Sequence, residues 1–328
     1  MIEDELTRCV IGWYPGATGI TGAAKLSGGA SQETWSFDIV HAGGRHGAIL
    51  RRSPKGYGAS PTRAAGLDAE ARLMQLAHDA GLPSPKVMHV LRPEDDLGTG
   101  FIMQRVEGET IARKILRDEQ FAQARPILAR QLGKVSAGIH SLPRERLPKL
   151  REMSSTSEIA DLGREYRSFN WPKPVFELAL RWLADHDPGP SKEVTLVHGD
   201  FRHGNLIIGP DGVRAVLGWE IAHIGDPMED LGWICVNSWR FGEIDKPVGG
   251  FGSREDLFAG YEEGGRTADP DRVTFWEVMG TLRWGVMCCG MMQRFRTGPD
   301  HSMERAMIGR RSSESEIDLL RLLAPRGK

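Results

Sequence analysis

The sequence predicts an α+β chain of two lobes, a small strand-rich lobe followed by a larger, mostly helical one. Three observations predict it. Early in the chain Trp35, Phe37 and Ile39 alternate with polar residues, the period-two pattern of a half-buried strand. From Ile127 onward apolar residues recur every three or four positions instead, the period of a helix face. Within that helical part, residues 196–220 form an island that reads as strand, loop and strand. At 328 residues the chain is long enough for about two domains. The expected division is residues 1–106 and 107–328, with Glu107-Gly108-Glu109 as the connection.

The elements follow in order. Ala48-Ile49-Leu50-Arg51 is a short strand that closes on a basic residue. Residues 61–78 read as a helix with Leu67, Leu73, Met74 and Ala77 near one stripe, stopped by Gly81 and Pro83. Residues 87–91 and 101–106 are further strands, joined by the turn-rich stretch 92–100. The first lobe is therefore expected to hold strands and one helix. In the second lobe, residues 127–142 form a helix on Leu128, Leu132, Val135 and Ile139, and residues 175–186 form another that ends before Pro188. Helices resume at 228–239, 254–263, 272–294 and 312–323.

Composition narrows the function. At 40% hydrophobic and 26% charged residues the chain is ordinary globular material, and a formal charge of −2 argues against a nucleic-acid partner. No apolar run approaches the roughly 18–20 residues of a membrane span, so no membrane partner is expected. The start, Met1-Ile2-Glu3-Asp4-Glu5, is acidic and lacks a charged-then-apolar leader, and the expected location is cytoplasmic. Cys9, Cys235, Cys288 and Cys289 are too few and scattered for a disulfide framework and read as buried thiols. Oligomeric state is not legible.

The chemistry concentrates in Leu196-Val197-His198-Gly199-Asp200-Phe201-Arg202-His203-Gly204-Asn205. An apolar strand delivers Asp200 to a loop, and Asn205 follows five residues later. Kinase-type phosphoryl transfer uses that spacing to set a catalytic carboxylate beside a metal-binding amide. Asp200 can accept the proton of a substrate hydroxyl or orient that hydroxyl for attack. Asn205 can offer an oxygen to Mg²⁺, a hard cation. His198 reads as an organiser of the loop. Arg202 and His203 border the site, and either can meet substrate or phosphate. Upstream, Gly28, Gly29 and Ser31 form a glycine-rich turn before a strand, either a plain hairpin turn or one where backbone N–H groups approach phosphates. Arg51 with Glu70 on the next helix reads, beside the downstream motif, as a cation placed to hold phosphate, and otherwise as a surface arginine and a solvated glutamate. Asp211-Gly212 reads as a hairpin turn, Asp226 as a helix N-cap with Pro227 behind it, and Asp230 as a brace for the catalytic loop.

These motifs resemble the aminoglycoside phosphotransferase (APH) family, of protein-kinase-like fold. The similarity lies in His198-Gly199-Asp200 through Asn205, Gly225-Asp226-Pro227 and Asp230-Leu231, and it extends over most of the chain. The nearer resemblance is to the subfamily that includes the kinase-like domain fused to some acyl-CoA dehydrogenases. There the strand before the lobe helix commonly ends Leu-Arg-Arg, as Leu50-Arg51-Arg52 does here. The resemblance implies a transferase that moves phosphate from ATP or GTP, with Mg²⁺, to a hydroxyl of a small molecule. It implies Asp200 as catalytic residue, Asn205 as metal ligand, Arg51 and Glu70 as the phosphate-side pair, and backbone near Gln104 and Val106 against the adenine.

One departure stands out. Where the family has Val-Leu-Asp-Trp-Glu, this chain has Val216-Leu217-Gly218-Trp219-Glu220. The replaced Asp is the second metal ligand, and glycine cannot ligate. Three readings follow: a variant inactivated at this position, a pseudokinase that still binds nucleotide, or a site in which Glu220, on the same face if the strand continues, takes over the metal. A late cluster of Arg283, Arg294, Arg296, Arg305, Arg310 and Arg311 leans the acceptor away from polycations and toward a neutral or anionic hydroxyl compound, with arginines on a solvated face as the competing reading.

Overall fold

The computed structural model describes residues 2–26, 32–54, 64–298 and 301–324. The first lobe holds α1 (Ile2–Trp13), β1 (Ala17–Leu26), β2 (Glu33–His41), β3 (Gly44–Ser53), α2 (Leu67–Asp79), β4 (Val87–Val90) and β5 (Thr99–Gln104). The strands make one antiparallel sheet in the order β1-β2-β3-β5-β4. Two helices cover it where the sequence suggested one. The missed helix, α1, is short and places only Leu6, Cys9 and Val10 on its buried face.

Period-two alternation in β3 decides which arginine enters the site. Ala48 and Leu50 face a cluster with Leu6, Val10, Phe37 and Ile39. Ile49 faces the other way, with Leu67, Leu73 and Met74 of α2. Arg51 shares the Ile49 face, and so meets α2. Arg52 points back to Glu33, with Nε 3.0 Å from its carboxylate.

The second lobe holds α3 (Ala112–Arg117), α4 (Arg125–His140), α5 (Ser155–Ser168), α6 (Pro174–Asp185), β6 (Thr195–Val197), β7 (Leu206–Gly209), β8 (Gly212–Val216), β9 (His223–Gly225), α7 (Met228–Cys235), α8 (Arg254–Glu263), α9 (Pro270–Thr297), α10 (Met303–Arg310) and α11 (Ser312–Leu323). With the five-stranded sheet before it, this is the bilobal, kinase-like α+β architecture. Helices α4 and α8 approach closely because glycines meet there. A Cβ on Gly133 would overlap the Leu257 carbonyl oxygen, and one on Gly260 would overlap that of Arg130.

Several boundaries moved. Helix α7 ends at Cys235, and a separate 3-10 turn over Asn237–Trp239 completes the segment read as one helix. Pro210 and Asp211 make the hairpin turn, and Gly212 is already the first residue of β8. Strand β8 stops at Val216, and Trp219–Ile221 is a 3-10 turn entered through Gly218 in the left-handed region, at φ 78° and ψ 47°.

Candidate active site

Two short antiparallel pairs, β6 with β9 and β7 with β8, bracket the loop that carries Asp200 and Asn205. The loop hangs on Asp230 of α7. One Asp230 oxygen accepts the His198 N–H at 2.8 Å, and the other accepts the Gly199 N–H at 2.9 Å. His140 Nε2 lies 3.0 Å from the first of these oxygens. Burial alone would raise the Asp230 pKa, yet His140, His198 and the backbone donors hold it below the usual carboxylate range. The brace read from the sequence is present in full. Asp226 also sits where a cap belongs, accepting the Met228 N–H at 3.0 Å, and it is further held by Arg272 and the Trp276 indole.

His198 organises the loop from inside. Its Nδ1 accepts the Asp200 N–H at 3.2 Å, so the ring proton sits on Nε2, which donates to the Leu217 carbonyl at 2.9 Å. Burial pushes its pKa down, consistent with a neutral ring. Gly199 is required here on two counts: its φ is +82°, and a Cβ would fall 2.9 Å from the Ile221 carbonyl oxygen.

The Asp200 carboxylate is gripped from three sides. Arg202 forks it, Nε to Oδ1 at 2.9 Å and Nη2 to Oδ2 at 3.0 Å. The Trp233 indole N–H donates to Oδ1 at 2.9 Å. The Asn205 amide nitrogen donates to Oδ2 at 2.7 Å and to the Asp200 carbonyl at 2.9 Å. The Arg202 guanidinium in turn stacks on Trp239, 4.6 Å from the ring centroid. Sequence reasoning left the role of Arg202 open and missed Trp233 and Trp239. Their contribution depends on α7 and the following 3-10 turn packing beside the loop, for which no local pattern exists.

Arg283 belongs to this support and not to a substrate surface. It is buried, bonds Glu229 at 2.7 Å and the Gly199 carbonyl at 3.1 Å, and stacks 4.2 Å from the Trp233 ring centroid. That removes one member of the late arginine cluster. Arg311 lies 2.9 Å from Glu314 and 5.5 Å from the Trp284 ring centroid. Trp284 packs on Trp239, so an aromatic column runs from Arg202 to a cavity of about 690 Å³ lined in part by Arg113, Phe241, Met307, Arg310 and Arg311.

On the other side of the cleft Arg51 Nε lies 3.0 Å from Glu70, and Arg51 Nη2 lies 3.5 Å from Glu220. Glu70 is 2% exposed, and burial pushes its pKa up to about 7 against the pull of Arg51. Gln104 ends β5, where its N–H donates to the Lys86 carbonyl at 2.9 Å. Val106 follows, half-buried, at the start of the connection. Gly28, Gly29 and Ser31 lie outside the described residues.

The kinase-like fold implies a magnesium ion, and the donors present do not make up its site. Mg²⁺ is usually held by one or two carboxylates together with substrate phosphates. Gly218 offers none. Asp200 already carries Arg202, Trp233 and Asn205. A Cβ on Gly218 would lie 2.5 Å from Asn205 Oδ1 and 2.6 Å from Nδ2, so the Asn205 amide fills the space that a side chain at 218 would take. The Glu220 substitution reading fails on geometry. Because 219–221 turn as a 3-10 segment, residues 218 and 220 do not share a strand face, and Glu220 pairs with Arg51.

The five-stranded sheet and the helical second lobe are a kinase-like fold. A model of the phosphotransferase enzyme family, APH, matches residues 22–274, and the chain belongs to that family. It is 26% identical over 246 residues to acyl-CoA dehydrogenase family member 11 of Gallus gallus, covering 71% of this chain and 30% of that protein. It is 28% identical over 195 residues to family member 10 of Mus musculus, covering 57% of this chain and 18% of that protein. The chain thus spans less than a third of the length of these relatives. Among solved structures it resembles a protein of Ralstonia eutropha JMP134 whose name places it with the aminoglycoside phosphotransferases, at a TM-score of 0.75, 21% identity and 97% coverage of both chains. It also resembles aminoglycoside phosphotransferase APH(4)-Ia in complex with AMP-PNP and hygromycin B, at a TM-score of 0.61, 16% identity and coverage of 98% of this chain and 99% of that one.

Proposed function

We propose that this chain binds ATP or GTP between its lobes and presents a hydroxyl group of a small molecule to Asp200, with phosphoryl transfer impaired by glycine at position 218. The observation that carries this reading is Asp200 itself, a carboxylate on a loop braced by Asp230 with Asn205 folded onto it. In it, Arg51, held by Glu70, is the cation for the nucleotide phosphates. The Gln104 carbonyl and the Val106 backbone serve the base, and Gly28, Gly29 and Ser31 serve the phosphates. Trp233 fixes Oδ1 of Asp200, and the acceptor hydroxyl replaces one arm of the Arg202 fork at Oδ2. The lobes divide at 106/107. The cavity beyond the aromatic column carries Arg113, Arg310 and Arg311 against Glu304 and Glu314, a balance that favours a neutral or anionic acceptor over a polycation. Asn205 remains as a single neutral metal contact beside the nucleotide's own phosphates, and the missing carboxylate lowers the charge neutralisation on which phosphoryl transfer depends.

A second reading, a nucleotide-binding pseudokinase, is favoured by the way Asn205 fills the space beside Gly218. One experiment separates the two: nucleotide binding with and without Mg²⁺, and ADP release across a panel of hydroxyl compounds preselected by thermal shift. ADP release that Asp200→Asn abolishes supports transfer. Binding without release, in both the native chain and Gly218→Asp, supports the pseudokinase.

A further inference from the structure

On the opposite side of the small lobe three ligand-type side chains converge from three different elements. Cys9 comes from α1, His89 from β4, and Asp95 from the 3-10 turn Pro93–Asp95. His89 Nε2 and Asp95 Oδ2 are 2.8 Å apart, and one donor atom from each of the three residues lies within 4.8 Å of the others. Burial and the neighbouring Asp95 push the Cys9 thiol up to about 12, so in the ligand-free protein it is a neutral S–H donor to that carboxylate. The Trp13 ring lies parallel over His89, centroids 4.9 Å apart at 2°. The Trp13 indole N–H is buried beside the Cys9 sulfur without a hydrogen-bond acceptor of good geometry. A thiol is a weak acceptor, whereas a metal-bound thiolate accepts such a donor well. The cluster opens on a cavity of about 450 Å³, with Arg8, Arg92, Glu94 and Asp96 at its rim.

We infer that Cys9, His89 and Asp95 form a zinc-class divalent cation site that ties the N-terminal helix to the sheet. One thiolate, one imidazole and one carboxylate suit Zn²⁺, a borderline-soft ion that takes four ligands in tetrahedral array. The fourth position faces the cavity and is filled by water. Binding releases the Cys9 proton to solvent, the His89 proton shifts from Nε2 to Nδ1 so that neutral Nε2 coordinates, and Asp95 exchanges its thiol and imidazole donors for the ion while keeping the Arg92 N–H at 2.7 Å. Sequence spacing gives no hint of this set, because Cys9 lies eighty or more residues before His89 and Asp95. The inference is independent of the nucleotide site.

The test is titration of the chelator-treated, reduced full chain with Zn²⁺, and separately with Co²⁺ followed by absorption. The expected result is one ion per chain, a rise in thermal unfolding temperature, and a sulfur-to-cobalt charge-transfer band. Cys9→Ser and His89→Gln should each abolish the one-equivalent uptake. Trp13→Phe, which keeps the stacked ring and removes the N–H, should weaken it by about 10–100-fold. Absence of one-equivalent uptake overturns the site, as does a cobalt spectrum without the sulfur band, which needs no variant to fold. Uptake unchanged in both ligand variants places the ion elsewhere and leaves the cluster a hydrogen-bonded joint.

Discussion

Replacing Gly218 by Asp carries two costs that can be worked out from the site. The position is left-handed, at φ 78°, which a non-glycine residue adopts at a cost of about 1 kcal/mol, with Asp among the more tolerant. The new Cβ would also meet the Asn205 amide at 2.5–2.6 Å. The amide must rotate away, breaking its 2.7 Å bond to the Asp200 carboxylate, a charged hydrogen bond worth about 1.5–3 kcal/mol. Without ligand, Gly218→Asp should therefore be less stable than the native chain by about 3 kcal/mol in urea unfolding. With Mg²⁺ and nucleotide the gap should nearly close. The rotated Asn205 and the new carboxylate then share a cation, and saturation to about a hundred times Kd returns about 2.7 kcal/mol. Turnover, read as ADP release, should rise by about 10²–10³-fold, the usual value of a preorganised electrostatic group in the transition state. A Gly218→Asp chain as stable as the native one, with no Mg²⁺-dependent gain in nucleotide affinity and no added turnover, would refute both the steric and the ligand reasoning.

Other expectations follow from single side chains. Asp230→Asn leaves a buried amide to face two backbone N–H groups and His140, and should cost about 3 kcal/mol in denaturant unfolding as well as slowing any turnover. Glu70 has its pKa raised to about 7, so the folded state keeps a proton that the unfolded chain loses near its ordinary value. Its contribution to stability should fall by about 3 kcal/mol as pH rises through that window, and Glu70→Gln should remove the slope. His203 works in the opposite direction: burial lowers its pKa to about 4, so stability should be lost as pH falls from about 6.5 to about 4, a slope absent in His203→Gln. Gly133→Ala, a better helix former, should nonetheless destabilise the chain, because its methyl overlaps the Leu257 carbonyl on α8; a raised urea midpoint would contradict the α4–α8 packing.

Strands β2 to β5 were legible because alternation or an apolar run announces them locally, whereas β1, which buries no residue fully, was not. Phe37 and Ile39 are fully buried, as their alternation requires, and Ile49 and Arg51 share a face for the same reason. The Asp200–Asn205 loop was legible as a candidate site because its residue types have no apolar excuse after an apolar strand, and the Asp230 brace because acidic residues at a helix start are positioned by the chain itself. The short helix α1 escaped because three buried residues are too few to set a period. The Glu220 argument failed because it assumed a strand where the left-handed Gly218 starts a turn.

By itself the sequence determined the two-lobed α+β class and set Asp200 and Asn205 five residues apart after an apolar strand, with glycine at 218, since these depend on residue type and local period. Only the tertiary structure decided what surrounds them. Arg202, Trp233 and Asn205 close on Asp200, Arg283 turns inward to Glu229, and Cys9 meets His89 and Asp95, because each contact joins elements far apart in the chain. A distance set by packing leaves no trace in spacing, and the state of this site is set by such distances.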